Sequence, residues 1–332
     1  MFGVLDVIVN TTPDLLTAPD QHIASIQPMA VQLLGPEYSF SYMLGQILFD
    51  GPDRSRRSSI DLHKSLSDAA RTTRLVPRSI GLLPVENTTT SPVQSVTDDL
   101  LTGDFNVLAE ATLKIELVLA GVQGATREDI KQIYSHSKPF GQAPNFIDGM
   151  PRKIEIIERD STSEAAREVA GLCDPSVAAL CGRTAAKHYK LSLIDEGEEG
   201  EGVQDVPDNR TRFLIVEARR NKPPVDLDQL LPHRPNRGIT AKVAGIVSPK
   251  EPGLAGLVKA GEFIIERNID ARDMLCQKND PAKPGGKDYF MEFVGNSDAL
   301  WNTFKKSRAH LYKDIMEFRL LGAYPLGSTY VE

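Results

Sequence analysis

Short apolar runs alternate along the chain with amphipathic stretches, and turns rich in Ser, Thr and Asn separate them. Residues 30–34 ("AVQLL") read as a buried strand, and 42–49 as a helix with Met43, Leu44, Ile47 and Leu48 on one side. Residues 50–59 read as a loop, 80–85 as a strand, 93–101 as a helix, 107–119 as alternating strand, and 133–135 as a strand end. Next come a strand at 153–158 and a helix at 161–172, opened by a Ser161/Glu164 capping box. A strand at 176–181, a short helix at 182–189 and a strand at 191–194 complete the run. This alternation predicts an α/β domain with largely parallel pairing.

After an acidic, Gly-rich loop at 196–208, the stretch 218–237 carries four prolines and reads as a linker. Beyond it the order changes to strand (240–248), helix (253–268), strand (269–277), turn, strand (289–295), helix (297–311, capped by Ser297) and strand (315–324). The apolar face of the first of these helices is expected at Leu254, Leu257, Val258, Phe263 and Ile264. This βαββαβ order predicts a ferredoxin-like unit.

Composition narrows the function classes. The 332 residues are 41% apolar and 25% charged, with net charge -7, an ordinary globular balance that argues against a nucleic-acid or anionic-membrane surface. No apolar run approaches the ~20 residues a membrane span needs. Three cysteines without CxxC spacing fit a reducing, cytoplasmic setting, and six histidines without an HxxxH pair give a metal site no support. Residues 1–28 lack Lys and Arg, unlike a targeting segment.

Candidate chemistry sits in the turns. Four of them, 35–41, 86–92, 135–142 and 161–164, fall at strand ends, where open α/β sheets bind ligands. Helix starts with hydroxyl caps, such as Ser39 and Ser161, suit carboxylates or phosphates. A fifth turn, "NRTRF" (209–213), precedes its strand instead. Its two arginines allow two readings, an anion site or a surface pairing with the acidic loop.

Together these segments resemble the prephenate dehydratases. The family's GPxGTFS is "GPEYSFS" here, its PIENS segment is "PVENTTTSPVQSVTDDLL", and its YSHPQAxxQC is "YSHSKPFGQA". "STSEAA", "AALCGRTAAKHYKLSLI", the NxTRF hallmark "NRTRF" and a closing "LLGAYP" follow in the family's order, over about 29–326. Tyr38 stands at a family glycine, Ala143 at a family cysteine, and Pro144 is expected to interrupt the helix there.

The resemblance implies a two-lobed, periplasmic-binding-protein-like catalytic domain at 29–217, with lobes of about 29–110 plus 190–217 and 111–189. An N-terminal extension would precede it (1–28), and the linker (218–237) and a ferredoxin-like ACT domain (238–328) would follow. It implies conversion of prephenate to phenylpyruvate without metal or cofactor, and a homodimer or homotetramer. Arogenate dehydration, non-aromatising decarboxylation and a non-catalytic binding paralogue are the alternatives. Thr211 is expected to serve the leaving hydroxyl, and Arg212 to anchor an anion or organise the motif, with a protein-facing side chain as the alternative. Ser39, Glu86, Asn87, Thr88, His136, Gln142, Ser161 and Thr162 would surround the substrate, Glu86 as an orienter or as the acid, and Phe213, counted with them, would begin the core strand and pack. L-Phenylalanine would meet Gly253, Leu254, Ala255 and Asp273, although the family's GALV and ESRP effector motifs read "GLAGLV" and "DMLC" here.

Overall fold

A computed structural model describes residues 19–50, 58–90, 92–197, 200–220, 240–251, 254–265, 270–279, 287–296, 299–300, 304 and 315–331. The first sheet has the order β15-β4-β10-β3-β1-β2. Its strands are β1 (Ala30–Leu34), β2 (Ser59–His63), β3 (Ser79–Asn87), β4 (Phe105–Lys114), β10 (Arg210–Ala218) and β15 (Thr329–Tyr330). The second sheet, β7-β6-β8-β5-β9, is built from β5 (Leu117–Gly121), β6 (Gln132–Ser135), β7 (Glu155–Glu158), β8 (Val177–Gly182) and β9 (Ser192–Asp195). A third sheet, β12-β13-β11-β14, uses β11 (Thr240–Pro249), β12 (Asp270–Asn279), β13 (Lys287–Asn296) and β14 (Met316–Pro325), with all its pairs antiparallel.

The expectation of largely parallel pairing holds in part: β1 is parallel to β2 and β3, β15 to β4, and β6 to β7 and β8, but both sheets are mixed. β10 runs antiparallel to both β3 and β4, and β5 antiparallel to β8 and β9. Each sheet takes one connection from the other, and a strand that returns from the other sheet enters in the opposite sense. The crossings also move from the expected lobe limits: β4 reaches Lys114 in the first sheet, and β9 still belongs to the second.

Helices pack through their apolar stripes. α1 (Pro19–Ser25) buries Ile23, followed by buried Ile26, and His22 Nε2 lies 2.8 Å from the Leu108 carbonyl oxygen. The described end of the expected 1–28 extension is therefore part of the core. α2 (Phe40–Phe49) starts at Ser39, whose hydroxyl accepts the Tyr42 N–H, and buries Met43, Leu44, Leu48 and Phe49; Ile47 is exposed. α3 (Leu66–Leu75) and α4 (Gln94–Leu101) cover the first sheet. α5 (Ser137–Gln142) and α6 (Pro144–Asp148) meet at Ala143, with Pro144 opening the second helix, the interruption its ring imposes. α7 (Thr162–Leu172) and α8 (Arg183–His188) cover the second sheet. β2 and α3 fall in a stretch, 59–75, where the apolar pattern gave no element.

One continuous apolar cluster joins Leu83, Val85, Leu100 and Phe105 of the first unit to Val243, Phe290, Phe293 and Tyr324 of the third sheet. The joint is close: a Cβ on Gly322 of β14 would lie 2.0 Å from the Val107 carbonyl oxygen. Gly322→Ala is expected to cost about 1–3 kcal/mol, read as a lowered Tm. The chain end then returns to the first sheet, where β15 pairs with β4 and Tyr330 donates to Asp20 at 2.5 Å. In the helix Leu254–Ile265, Leu254 and Val258, expected on its apolar face, are 75% and 48% exposed; Ala260 is buried in their place. The side chains of Phe263 and Ile264, Gly253, all of 221–239, and most of 297–311 lie outside the described residues.

Candidate active site

The carboxyl ends of β1, β3 and β6 and the N-terminal ends of α2 and α7 converge on one cleft of about 1110 Å³ between the first two sheets. The four strand-end turns expected to bind ligand all reach it: Ser39, Glu86, Asn87, His136, Gln142, Ser161 and Thr162 line its walls, as does Thr211. "NRTRF" looked misplaced because it precedes its strand. Antiparallel pairing resolves this, since β10 starts where β3 ends and sets Thr211 opposite Asn87. The strand itself begins at Arg210, so Thr211, Arg212 and Phe213 lie inside it.

Thr211 is held by a defined network. Asn87 Nδ2 donates to Thr211 Oγ1 at 3.0 Å and to Asn209 Oδ1 at 2.8 Å. Asn87 Oδ1 accepts from the Thr89 N–H at 2.9 Å and from the Thr89 hydroxyl at 2.6 Å, which fixes the orientation of the amide. Gln142 reaches across from the second sheet's side to donate to Thr89 Oγ1 at 3.0 Å. Thr211 Oγ1 thus receives a hydrogen bond from inside the protein, and its own proton is left to point at a ligand. Thr89 and the fully buried Asn209 were not among the expected site residues; both lie within the motifs that drew attention to the region.

Three expected contacts fall elsewhere. Arg212 is buried and faces away from the cleft: its Nε lies 2.5 Å from Glu86, and its Nη1 lies 3.1 Å from Glu110 and 2.7 Å from Glu292. It is not an anion anchor, because protein carboxylates already surround it. Burial alone would lower the Arg212 pKa, but Glu292, Glu110 and Glu86 raise it well above its ordinary value. Lys242 joins the cluster at 2.8 Å from Glu110, and Tyr324 donates to Glu292. Phe213 is 1% exposed and packs in the core, and the exposed Thr88 donates to the Asp208 carbonyl at 2.9 Å instead of facing the cleft. For Arg210 the surface reading holds, since it pairs with Asp208. Of the expected effector residues, Leu254 and Ala255 are exposed at the helix start and Asp273 lies in β12.

The rest of the wall mixes charges: Glu37, Asp160 and Glu164 stand with Lys64, Lys138 and Arg167. His136 caps α5 by accepting the Lys138 N–H at Nδ1, 3.2 Å, so its remaining N–H is on Nε2. Burial, then the Lys138 charge, lowers its pKa, which keeps it a neutral donor at neutral pH. At the rim, Tyr38 takes a left-handed backbone (φ 61°) and stacks on His188 at 3.5 Å between ring centroids. With the Ser163 hydroxyl donating to the Glu37 carbonyl at 2.6 Å, this stack ties the two sheets' units together. Among the described residues no group of three His, Cys, Asp or Glu side chains could hold a metal ion.

Comparison with known proteins agrees with this geometry. The prephenate dehydratase family model matches residues 31–221. A bifunctional chorismate mutase/prephenate dehydratase from Pseudomonas aeruginosa is 26% identical over 91% of this chain and 75% of its own length. A prephenate dehydratase from Methanocaldococcus jannaschii is 27% identical over 80% of this chain and 88% of its own. The solved structure of prephenate dehydratase in complex with L-Phe from Arthrobacter aurescens superposes with a TM-score of 0.67 at 21% identity, covering 89% of each chain. With more than half its length inside the family model and its motifs gathered around one cleft, this chain belongs to the prephenate dehydratase family, lyases that dehydrate and decarboxylate prephenate.

Proposed function

We propose that the cleft converts prephenate to phenylpyruvate, with Thr211 as the donor to the departing hydroxyl. The observation that carries this reading is the Asn87–Thr211 hydrogen bond: it holds the threonine oxygen from one side, taking one of its two acceptor positions, and leaves the hydroxyl proton for the substrate. The reaction consumes one proton, which the departing hydroxide takes from solvent to leave as water. The bond from the ring to its carboxylate breaks to release carbon dioxide, its electrons pass through the ring diene, and the opposite carbon–oxygen bond breaks. Aromatisation drives this, so the protein chiefly orients the dianion and assists the poor leaving group. A threonine hydroxyl is a weak acid. The Asn87 N–H polarises it, and it acts by a hydrogen bond that strengthens as negative charge grows on the leaving oxygen. Ser39, Ser161 and Thr162 would hold carboxylates at helix starts, and Gln142 and His136 would line the opposite wall.

We divide the chain into a two-lobed, periplasmic-binding-protein-like catalytic domain, built on the first two sheets, and an ACT-like domain built on the third. Support for the latter is the strand order β12-β13-β11-β14, which a split βαβ unit produces. We place the enzyme in the cytoplasm, as a homodimer or homotetramer. L-Phenylalanine is its proposed effector, with the altered effector motifs setting a weak response. Assaying the chain on prephenate and on arogenate, with and without L-phenylalanine, tests the proposal. Phenylpyruvate from prephenate, at a rate well above any arogenate turnover, is expected; turnover of neither substrate would refute it.

A further inference from the structure

A row of side chains runs from Gln142, on the second sheet's side of the cleft, to Thr211, and one backbone donor sets the direction of every bond in it. The Thr89 N–H points at Asn87 Oδ1 at 2.9 Å; a backbone N–H can only donate, so that atom is the amide oxygen. The Thr89 hydroxyl lies 2.6 Å from the same oxygen and must give it its proton. Thr89 Oγ1 is then left to accept, which it does from Gln142 Nε2 at 3.0 Å. Gln142 Nε2 itself stands 3.5 Å from Asn87 Oδ1, at the limit of a hydrogen bond, so Thr89 carries the connection. At the other pole of the amide, Asn87 Nδ2 gives its protons to Asn209 Oδ1 and Thr211 Oγ1. Gln142, Thr89, Asn87 and Thr211 therefore donate in one sense, and the row ends on the Thr211 proton.

Both ends of the row hang on the segment that crosses between the sheets. β9 ends at Asp195 in the second sheet, and β10 begins at Arg210 in the first. Within the crossing, the Asp205 N–H donates to the Gln142 carbonyl at 2.8 Å, and the fully buried Asn209 holds Asn87. The bonds thus close a ring through 205–211 that orients each member before substrate arrives. An amide that accepts two bonds at its oxygen is also a stronger donor at its nitrogen, because successive hydrogen bonds polarise one another. The Thr89 hydroxyl supplies one of those two bonds.

We propose that Thr89 is a positioning residue for the dehydration, carrying the Gln142 contact to Asn87 and so strengthening the donor that Thr211 offers the departing hydroxyl. This rests on the dehydratase reading above. Thr89 does not line the cleft and acts through Asn87. Its effect belongs to kcat, because the Thr211 bond gains strength as charge grows on the leaving oxygen.

Steady-state kinetics on prephenate, with Tm recorded, test this in wild type, Thr89→Val, Thr89→Ser, Thr211→Ala and the double variant Thr89→Val/Thr211→Ala. Valine keeps the branched shape and replaces the hydroxyl by a methyl; serine keeps the hydroxyl. Thr89→Val is expected to lower kcat roughly three- to tenfold, the worth of one hydrogen bond, with KM little changed, while Thr89→Ser retains most of the rate. In the Thr211→Ala background, Thr89→Val is expected to change kcat little, because the group it acts through is gone. An equal loss in both backgrounds overturns the inference whatever happens to Tm. So does an undiminished kcat in Thr89→Val, a matched loss in Thr89→Ser, or a loss expressed in KM. Absence of wild-type turnover overturns the dehydratase reading itself.

Discussion

Thr211→Ala is expected to lower kcat on prephenate by ~10²–10³-fold, the usual range for losing one hydrogen-bond donor to a developing oxyanion, while KM changes little. The reason lies in the wiring of the hydroxyl. Asn87 donates to one of its two acceptor positions at 3.0 Å, and Asn209 and Thr89 fix Asn87 in turn. The threonine therefore does little ground-state binding and contributes most when the leaving oxygen gains charge, the pattern of an interaction made in the transition state. Thr211→Ser keeps the donor and should retain most of the rate. A matched loss in Thr211→Ala and Thr211→Ser, or a loss expressed in KM, would contradict this role.

Glu292→Ala is expected to destabilise the fold by about 3–5 kcal/mol, read from denaturant unfolding, because it leaves a buried ion cluster unbalanced. Glu292 is 0% exposed, and its carboxylate lies 2.7 Å from Arg212. Arg212 in turn meets Glu86 on the cleft wall and Glu110 in β4, and Lys242 in β11 completes the cluster. Arg212→Met should cost a similar amount, whereas replacing both Arg212 and Glu292 by apolar residues should cost less than the sum of the single changes. Had Arg212 anchored substrate, its removal would raise KM in a protein of normal stability.

The same cluster sets a pH dependence. Burial would raise the Glu110 pKa, but Lys242 and Arg212 together hold it below the usual carboxylate range. A depressed carboxylate contributes stability in full above its unfolded pKa and loses it as pH falls through the folded value. Acid lability should therefore weaken in Glu110→Gln, on top of a lower stability at neutral pH.

What the sequence made legible were the short-range features. The Ser161 cap, the break at Pro144 and the strand-end turns are encoded within a few residues, and each stands as read. Pairing sense was not legible, because an apolar strand such as 213–216 reads the same in either direction. The choice between an anion anchor and a protein-facing Arg212 was not legible, because its partners Glu110 and Glu292 are distant in sequence, and a single arginine in a motif carries no sign of which way it faces. β2 escaped notice because its burial is only partial. Thr88 and Thr89 are equivalent in "ENTTT"; only the turn after β3 decides that Thr89 joins the site.

The most direct test of the central claim is to measure, in one reaction on prephenate, carbon dioxide released against phenylpyruvate formed. Equal amounts are expected from the wild-type chain, with both falling together in Thr211→Ala. Carbon dioxide without phenylpyruvate would mark a non-aromatising decarboxylase, and together with release undiminished in Thr211→Ala it would contradict the account.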